Sequence, residues 1–340
     1  MHTVAVARHA MATRFEIILY GEQEVSLRAA AEEAVDEIER LDAQLNLYNP
    51  ASELSHINAC AGRDPVRVEP GLFRLLQRAQ QLSRATDGAF DITVAPLVRC
   101  WGFMGGPGKL PDSSAVAEAR ARVGMELVEL NERDFTIRFV REGVMLDLGS
   151  IGKGYALDRA SGLLRDAGVR SGLLHGGTST VSALGAPPDA DDWKVAVPAP
   201  DLAEQAITQR GPRLCNGSET GNLVAVVSLK DEALSVSAVW GKSFEADGRV
   251  YGHVFDPRRG EPVRGALLAA VVLPSATETD ALSTALLVEG PAGLERLALK
   301  CRGSRCLVVT PGAESGEFNV ECRGIHPLNS QILRAAPFSR

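Results

Sequence analysis

The sequence predicts an α+β protein with mixed, mostly antiparallel sheets packed with helices. Three observations carry the α+β expectation. Strand-like and helix-like segments mix without the strict β-α-β alternation of a doubly wound sheet. No repeat period runs along the 340 residues. Apolar and charged fractions of 45% and 23% are those of an ordinary globular chain. No flexible linker separates independent halves, so the expectation is one domain over residues 1–340, with a core at about 10–325 and a short C-terminal tail.

The elements follow in order. Two β-like pieces lie between Val4 and Tyr20, the clearer being Phe15 to Tyr20, with Met11-Ala12-Thr13 between them. Val25 to Leu45 carries Leu27, Ala31, Ala34, Val35, Ile38, Leu41 and Leu45 at helical spacing, acidic residues mostly opposite. Asn49-Pro50 ends it, and Ser52, or failing that Ser55, would cap a short helix. Pro70 to Thr86 repeats the amphipathic pattern and stops at Asp87-Gly88. After Ala89 to Pro96 and Trp101, a glycine/proline loop spans Gly105 to Asp112. Ser113 to Val123 has helical composition, and Phe135 to Arg138 is β-like.

Val144 to Leu148 is an apolar run broken by Asp147 and reads as a buried strand. Gly149, Gly152 and Gly154 follow, with Ser150 and Lys153 among them, and Tyr155 to Asp166 reads as a helix. A strand, glycine turn and helix can bring backbone N–H groups to an anion, although such turns also arise for steric reasons alone. The spacing is neither the P-loop pattern nor G-x-G-x-x-G. Further on, Gly172 to His175 and Val181 to Leu184 read as strand. So does Trp193 to Val197, followed by a polar stretch to Cys215. Asn222 to Leu229 and Ala233 to Ala238 alternate like a pair of strands. Val250 to Asp256 runs into a turn at Pro257. Leu267 to Leu273 is a buried strand, and Thr277 or Thr279 would start a helix. Pro291 to Lys300, Cys306 to Thr310 and Phe318 to Cys322 close the chain as helix, strand, strand.

A net charge of −7 without a long basic run argues against nucleic acid as the main partner. The longest apolar run, Ala266 to Leu273, is too short to span a membrane. The first residues lack the basic and apolar regions of a signal peptide. The expected location is therefore cytoplasmic, or periplasmic or membrane-anchored if a signal segment precedes Met1. The six cysteines form no C-x-x-C pair and no zinc spacing. Cys301 and Cys306 are near enough for a disulfide, with scattered reduced thiols the favoured reading.

Four polar clusters interrupt apolar surroundings: Asp91 with Thr93, Asp147 with its glycine turn, His253 with Asp256, and Asp280 with Thr284. Asp280 and Thr284 are i and i+4 on one helix face and make a hard-oxygen pair of the kind Mg2+ accepts. The alternative is that Asp280 caps the helix and Thr284 bonds back to a carbonyl. His253 is embedded in a strand-like run and is the preferred proton acceptor, with His175 second. Asp256 either orients His253 or shapes the Asp-Pro turn, the turn being favoured.

Taken together, these segments resemble the FAD:protein FMN transferase (ApbE flavin transferase) family. The matching pieces run in the family's order. They are Met11-Ala-Thr13; Tyr48-Asn-Pro-Ala-Ser-Glu-Leu-Ser-His-Ile-Asn58; Asp87-Gly-Ala89-Phe90-Asp91-Ile-Thr-Val; Trp101-Gly-Phe103; Leu146-Asp147-Leu-Gly-Ser150-Ile-Gly-Lys153-Gly; Gly176-Gly177; His253-Val-Phe-Asp256-Pro; and Thr279-Asp280-Ala-Leu-Ser-Thr284. The resemblance implies a T-fold-like α+β architecture and an enzyme that uses FAD and Mg2+, attaches FMN through a phosphoester to a Thr or Ser of a client flavoprotein, and releases AMP. By position it implies contacts to the flavin nucleotide from Met11, Tyr48, Ala89, Phe90, Asp91, Asp147, Lys153 and His253. It implies metal ligation by Ser150, through its carbonyl, and by Asp280 and Thr284. The competing expectations are an FAD pyrophosphatase giving FMN and AMP, and a non-catalytic FAD-binding protein. The chain departs from the family pattern at Ala12, for a usual Gly, at Thr178, for a usual Asp, and at Val236-Ser237-Ala238, for Thr-Ser-Gly.

Overall fold

The computed structural model describes residues 1–200, 223–314, 317–328 and 333–334. The polar stretch to Cys215 lies partly outside them, as do Cys215 and the expected strand start at Asn222. The architecture is α+β with antiparallel sheets, as the mixed segment pattern predicts. The chain divides into two compact units. The first is Met1–Leu41, Lys153–Ala238 and Gly265–Arg340; the second is Asp42–Gly152 and Val239–Arg264.

The first unit is built on a nine-stranded sheet. Its strands, in spatial order, are His2–Ala10, Thr13–Gly21, Ser171–Gly176, Thr180–Leu184, Ala233–Ala238, Leu268–Leu273, Arg305–Pro311, Glu317–Arg323 and Leu333–Arg334. Every neighbouring pair is antiparallel. Alternation sets the faces: Phe15, Ile17 and Leu19 are fully buried, while Tyr20 points the other way to meet the Trp193 ring. All six residues of Leu268–Leu273 are buried, as expected for a central strand covered on both faces. The helices Gly152–Asp166 and Ala276–Glu289 pack on one face through small residues. Ser161 meets Ser182, Ser235 meets Thr279, and Ser237 meets Ser283.

The second unit holds the helices Glu53–Cys60, Pro70–Ala85, Ala95–Cys100 and Ser113–Arg120. A three-stranded sheet orders Val66–Arg67, Thr136–Phe139 and Val128–Asn131. Ser52 caps its helix by accepting from Ser55 N, as expected. Asp87 and Gly88 end the Pro70–Ala85 helix with left-handed φ values of 49° and 75°. Trp101, Phe103, Tyr251 and Phe255 form an aromatic core, and Trp101 Nε1 donates to Gly260 O at 3.0 Å.

Four expectations need correction. Val144–Leu148 is not a ladder strand. It is buried on alternate residues, but Leu146 N and O bond to the Asn58 side chain, and Asp147 N donates to Ile92 O. Leu223–Leu229 and Ala233–Ala238 are not partners. The former pairs with Trp193–Pro198 and the latter joins the large sheet, because each carries its own apolar face to a different layer. His253 lies in a break between the strands Arg249–Gly252 and Phe255–Asp256. The helix before Asp280 starts at Ser275, which caps Glu278 N, rather than at Thr277 or Thr279. Cys60, Cys100, Cys306 and Cys322 carry free thiols, so Cys301 and Cys306 are not bridged. Among the described residues no helix is long and apolar enough to cross a membrane.

Candidate active site

In the first unit the predicted residues Lys153, Asp280 and Thr284 come together. Asp280 sits in the second turn of its helix and is only 4% exposed. A buried carboxylate must be compensated. Here Oδ2 accepts from Gly154 N at 3.0 Å, Oδ1 accepts from the Thr180 hydroxyl at 3.4 Å, and Lys153 Nζ stands 3.6 Å from Oδ1. Thr284, one turn on, donates back to Asp280 O at 3.3 Å and lies 3.1 Å from the Ser237 hydroxyl. The back-bonding alternative is therefore partly realised. Donation uses only the hydroxyl hydrogen and leaves the oxygen lone pairs able to accept. The cap alternative is realised differently: Asp280 caps the neighbouring helix and not its own. Among the described residues no group of three or more His, Cys, Asp or Glu side chains could hold a metal. The donors here are a single carboxylate and several hydroxyls, all hard oxygens.

Sequence reasoning missed Thr180, Ser237 and Gly154 as parts of this cluster. Gly154 permits the close approach, since a Cβ there would collide with Ala276 O. Met11 belongs to this unit too. Met11 and Ala12 form the turn between the first two strands, and Gly177 packs so tightly on Thr13 that a Cβ would strike its hydroxyl.

In the second unit Tyr48 and Asp147 are brought together. Burial, and then the negative charge of Asp147, raise the Tyr48 phenol above its usual pKa, although the side chain is 63% exposed. Asp147 Oδ1 accepts from Gly149 N at 2.8 Å, which shapes the glycine turn that carries the half-buried Ser150. Ala89 and Phe90 are each only 1% exposed, so both belong to the core of the unit. The Asp91 carboxylate accepts from Thr93 N and Oγ1, Met125 N and the Ser83 hydroxyl at 2.5–3.2 Å. Burial still raises its pKa, and the hydrogen bonds oppose the rise. Asp91 thus ties its loop to Gly124–Met125, with Gly124 N donating to Thr93 Oγ1.

His253 is half-buried, with Nδ1 3.2 Å from Lys242 O. A carbonyl only accepts, so Nδ1 carries the hydrogen and Nε2 holds the lone pair. Asp256 is engaged elsewhere: Arg258 donates to it from N, Nε and Nη2 at 2.9–3.0 Å, which supports the turn reading. The second-choice histidine, His175, is 6% exposed, and its Nδ1 has no hydrogen-bond partner among the described residues.

The pattern of the ApbE family matches residues 11–308. The FAD:protein FMN transferase of Klebsiella pneumoniae (strain 342) is 29% identical over 289 residues, covering 83% of this chain and 77% of that protein. The FAD:protein FMN transferase of Escherichia coli (strain K12) is 27% identical over 256 residues, covering 74% and 68%. Among solved structures, the ApbE protein of Thermotoga maritima superposes with a TM-score of 0.80 at 26% identity, covering 94% of this chain and 96% of that one. The apo flavinyl transferase ApbE of Pseudomonas stutzeri gives 0.79 at 27% identity, covering 95% of each.

Proposed function

This chain belongs to the ApbE family, and on that premise we propose that it is a transferase that moves FMN from FAD to a Thr or Ser hydroxyl of a client flavoprotein, with Mg2+. The observation that carries the reading is the buried Asp280 carboxylate beside Lys153, with Thr284 one turn along the same helix. In the first unit, Asp280 and Thr284 would hold the ion. A single carboxylate with hydroxyl donors suits a hard cation that completes its shell with substrate phosphate oxygens and water. Bound there, Mg2+ would offset negative charge on the pyrophosphate. Lys153 adds a second positive charge for the same phosphates. In the second unit, Tyr48, Asp147 and the Ala89 to Asp91 segment are assigned to the nucleotide.

The reaction makes one bond and breaks one. The client hydroxyl oxygen attacks the phosphorus on the FMN side, and the bond from that phosphorus to the bridging oxygen breaks. AMP leaves with the bridging oxygen, and the hydroxyl proton passes to His253 Nε2. General-base help of this kind contributes roughly 10²–10⁴ in rate.

The test incubates the protein with FAD, Mg2+ and a flavoprotein client carrying an acceptor Thr, read by intact mass. The expected result is a client mass gain equal to FMN less water, and AMP in equal amount. His253→Ala should cut the rate by roughly 10²–10⁴ and leave FAD affinity within about threefold. Release of FMN and AMP with no client present would favour a pyrophosphatase. FAD retained intact and stoichiometric, indifferent to Mg2+, would favour a carrier.

A further inference from the structure

We infer that Asp158 is a positioning residue for Asp280, acting through a reciprocal pair of helix caps; the inference rests on the transferase reading above. In the first unit the N-terminal turns of the Gly152–Asp166 and Ala276–Glu289 helices meet. Asp158, on the first helix, accepts four hydrogen bonds at the start of the second. They come from Ser275 Oγ at 2.7 Å, Ala276 N at 2.8 Å, Thr277 N at 2.9 Å and Thr277 Oγ1 at 2.6 Å. Asp280, on the second helix, accepts from Gly154 N in the first turn of the first. Each helix thus supplies a carboxylate to the other's exposed N–H groups, the positive end of its dipole.

The geometry makes the two caps depend on each other. Gly154 lies so close that a Cβ would overlap Ala276 O and crowd Asp280 Cβ. Asp158 holds residues 275–277, one turn before Asp280. It thereby sets the height and rotation at which Asp280 presents Oδ1 to Lys153 and Thr180. Asp158 itself has no part in the proposed chemistry. An Asn at position 158 has one acceptor oxygen for four donors, and its NH2 faces N–H groups that need an acceptor. Substitutions behind a ligand typically weaken metal affinity roughly 10–100-fold.

The test compares Asp158→Asn with the milder Thr277→Val, which removes a single donor. Glu37→Gln, in the same unit but bonded to Arg40 and Arg159, is the control. Amide hydrogen exchange on the intact protein follows Gly154 relative to the Leu268–Leu273 strand, which reports global opening. In Asp158→Asn, Gly154 should exchange about tenfold faster than that reference allows, although Gly154 donates to Asp280 and not to Asp158. The Mg2+ concentration for half-maximal FMN transfer should rise at least about tenfold, with turnover at saturating Mg2+ within about threefold. Thr277→Val should move both readouts the same way by less, Asp158→Glu should recover part of the loss, and the control should move neither. An unchanged Gly154 overturns the proposal. So does lost turnover with an unaltered Mg2+ requirement, which would mark a merely structural residue. If the wild-type protein shows no transfer, or none that depends on Mg2+, the transferase reading fails instead, and exchange at Gly154 alone decides the coupling of the caps.

Discussion

Met11 and Ala12 connect the first two strands in two residues, both left-handed at φ 50° and 59°. That is the type I′ geometry, which fits the twist of a hairpin and favours Asn or Gly. An alanine there carries a Cβ strain of about 1 kcal/mol that glycine lacks, partly offset by glycine's greater unfolded-state entropy. The family's usual glycine at this place therefore has a backbone reason, independent of any ligand. Ala12→Gly should raise the unfolding free energy by about 0.5–1 kcal/mol in urea titrations. A decrease would show that the turn does not feel the Cβ. Asp256 was legible as a turn residue from its proline neighbour. That Arg258 would occupy its carboxylate was not, since nothing in Asp-Pro-Arg-Arg says which arginine folds back.

Among the elements, the stretch Val144 to Leu148 shows why a motif can be found and its secondary structure misread. Buried Val144, Leu146 and Leu148 alternate with half-buried Met145 and Asp147, the period of a strand. A ladder needs a neighbouring backbone, and here one side chain replaces it. Asn58 Oδ1 accepts from Leu146 N at 2.7 Å, and Asn58 Nδ2 donates to Leu146 O at 3.0 Å. Asn58→Leu would leave both groups of a fully buried residue unpaired and should cost about 2–4 kcal/mol. Asn58→Asp keeps only the acceptor and should lie between. Urea unfolding of the two variants checks the order; equal stability to wild type would mean that the pairing contributes nothing. The helices Glu24–Leu45 and Pro70–Ala85 are legible in the sequence to within a residue, because a 3.6-residue apolar stripe is a local property of the chain, whereas the Gly152–Asp166 helix begins three residues before the expected Tyr155.

At the scale of the whole molecule, stability should depend on pH through His175. Its burial pushes the pKa down from 6.5 to about 4, so the folded state holds the ring neutral. The unfolded chain takes up a proton near pH 6.5 and the folded one does not until about pH 4. Stability is therefore fully present above about pH 6.5 and is lost as pH falls toward 4, by about 3 kcal/mol from this group. Urea unfolding between pH 4 and 7.5 should show the decline, and His175→Leu should flatten it; an identical slope in the variant would assign the decline to other groups. The sequence by itself determined the α+β class, the helix positions and the family membership, because composition, periodicity and ordered motifs are local and additive along a chain. Tertiary structure alone decided which strands pair and that His253 sits in a break between strands. It also decided that Asn58 acts as a missing neighbour and that Asp280 and Asp158 cap each other's helices. The last two outcomes rest on a few hydrogen bonds between residues 88 to 126 apart, and a bond across that distance leaves no period or spacing in the sequence.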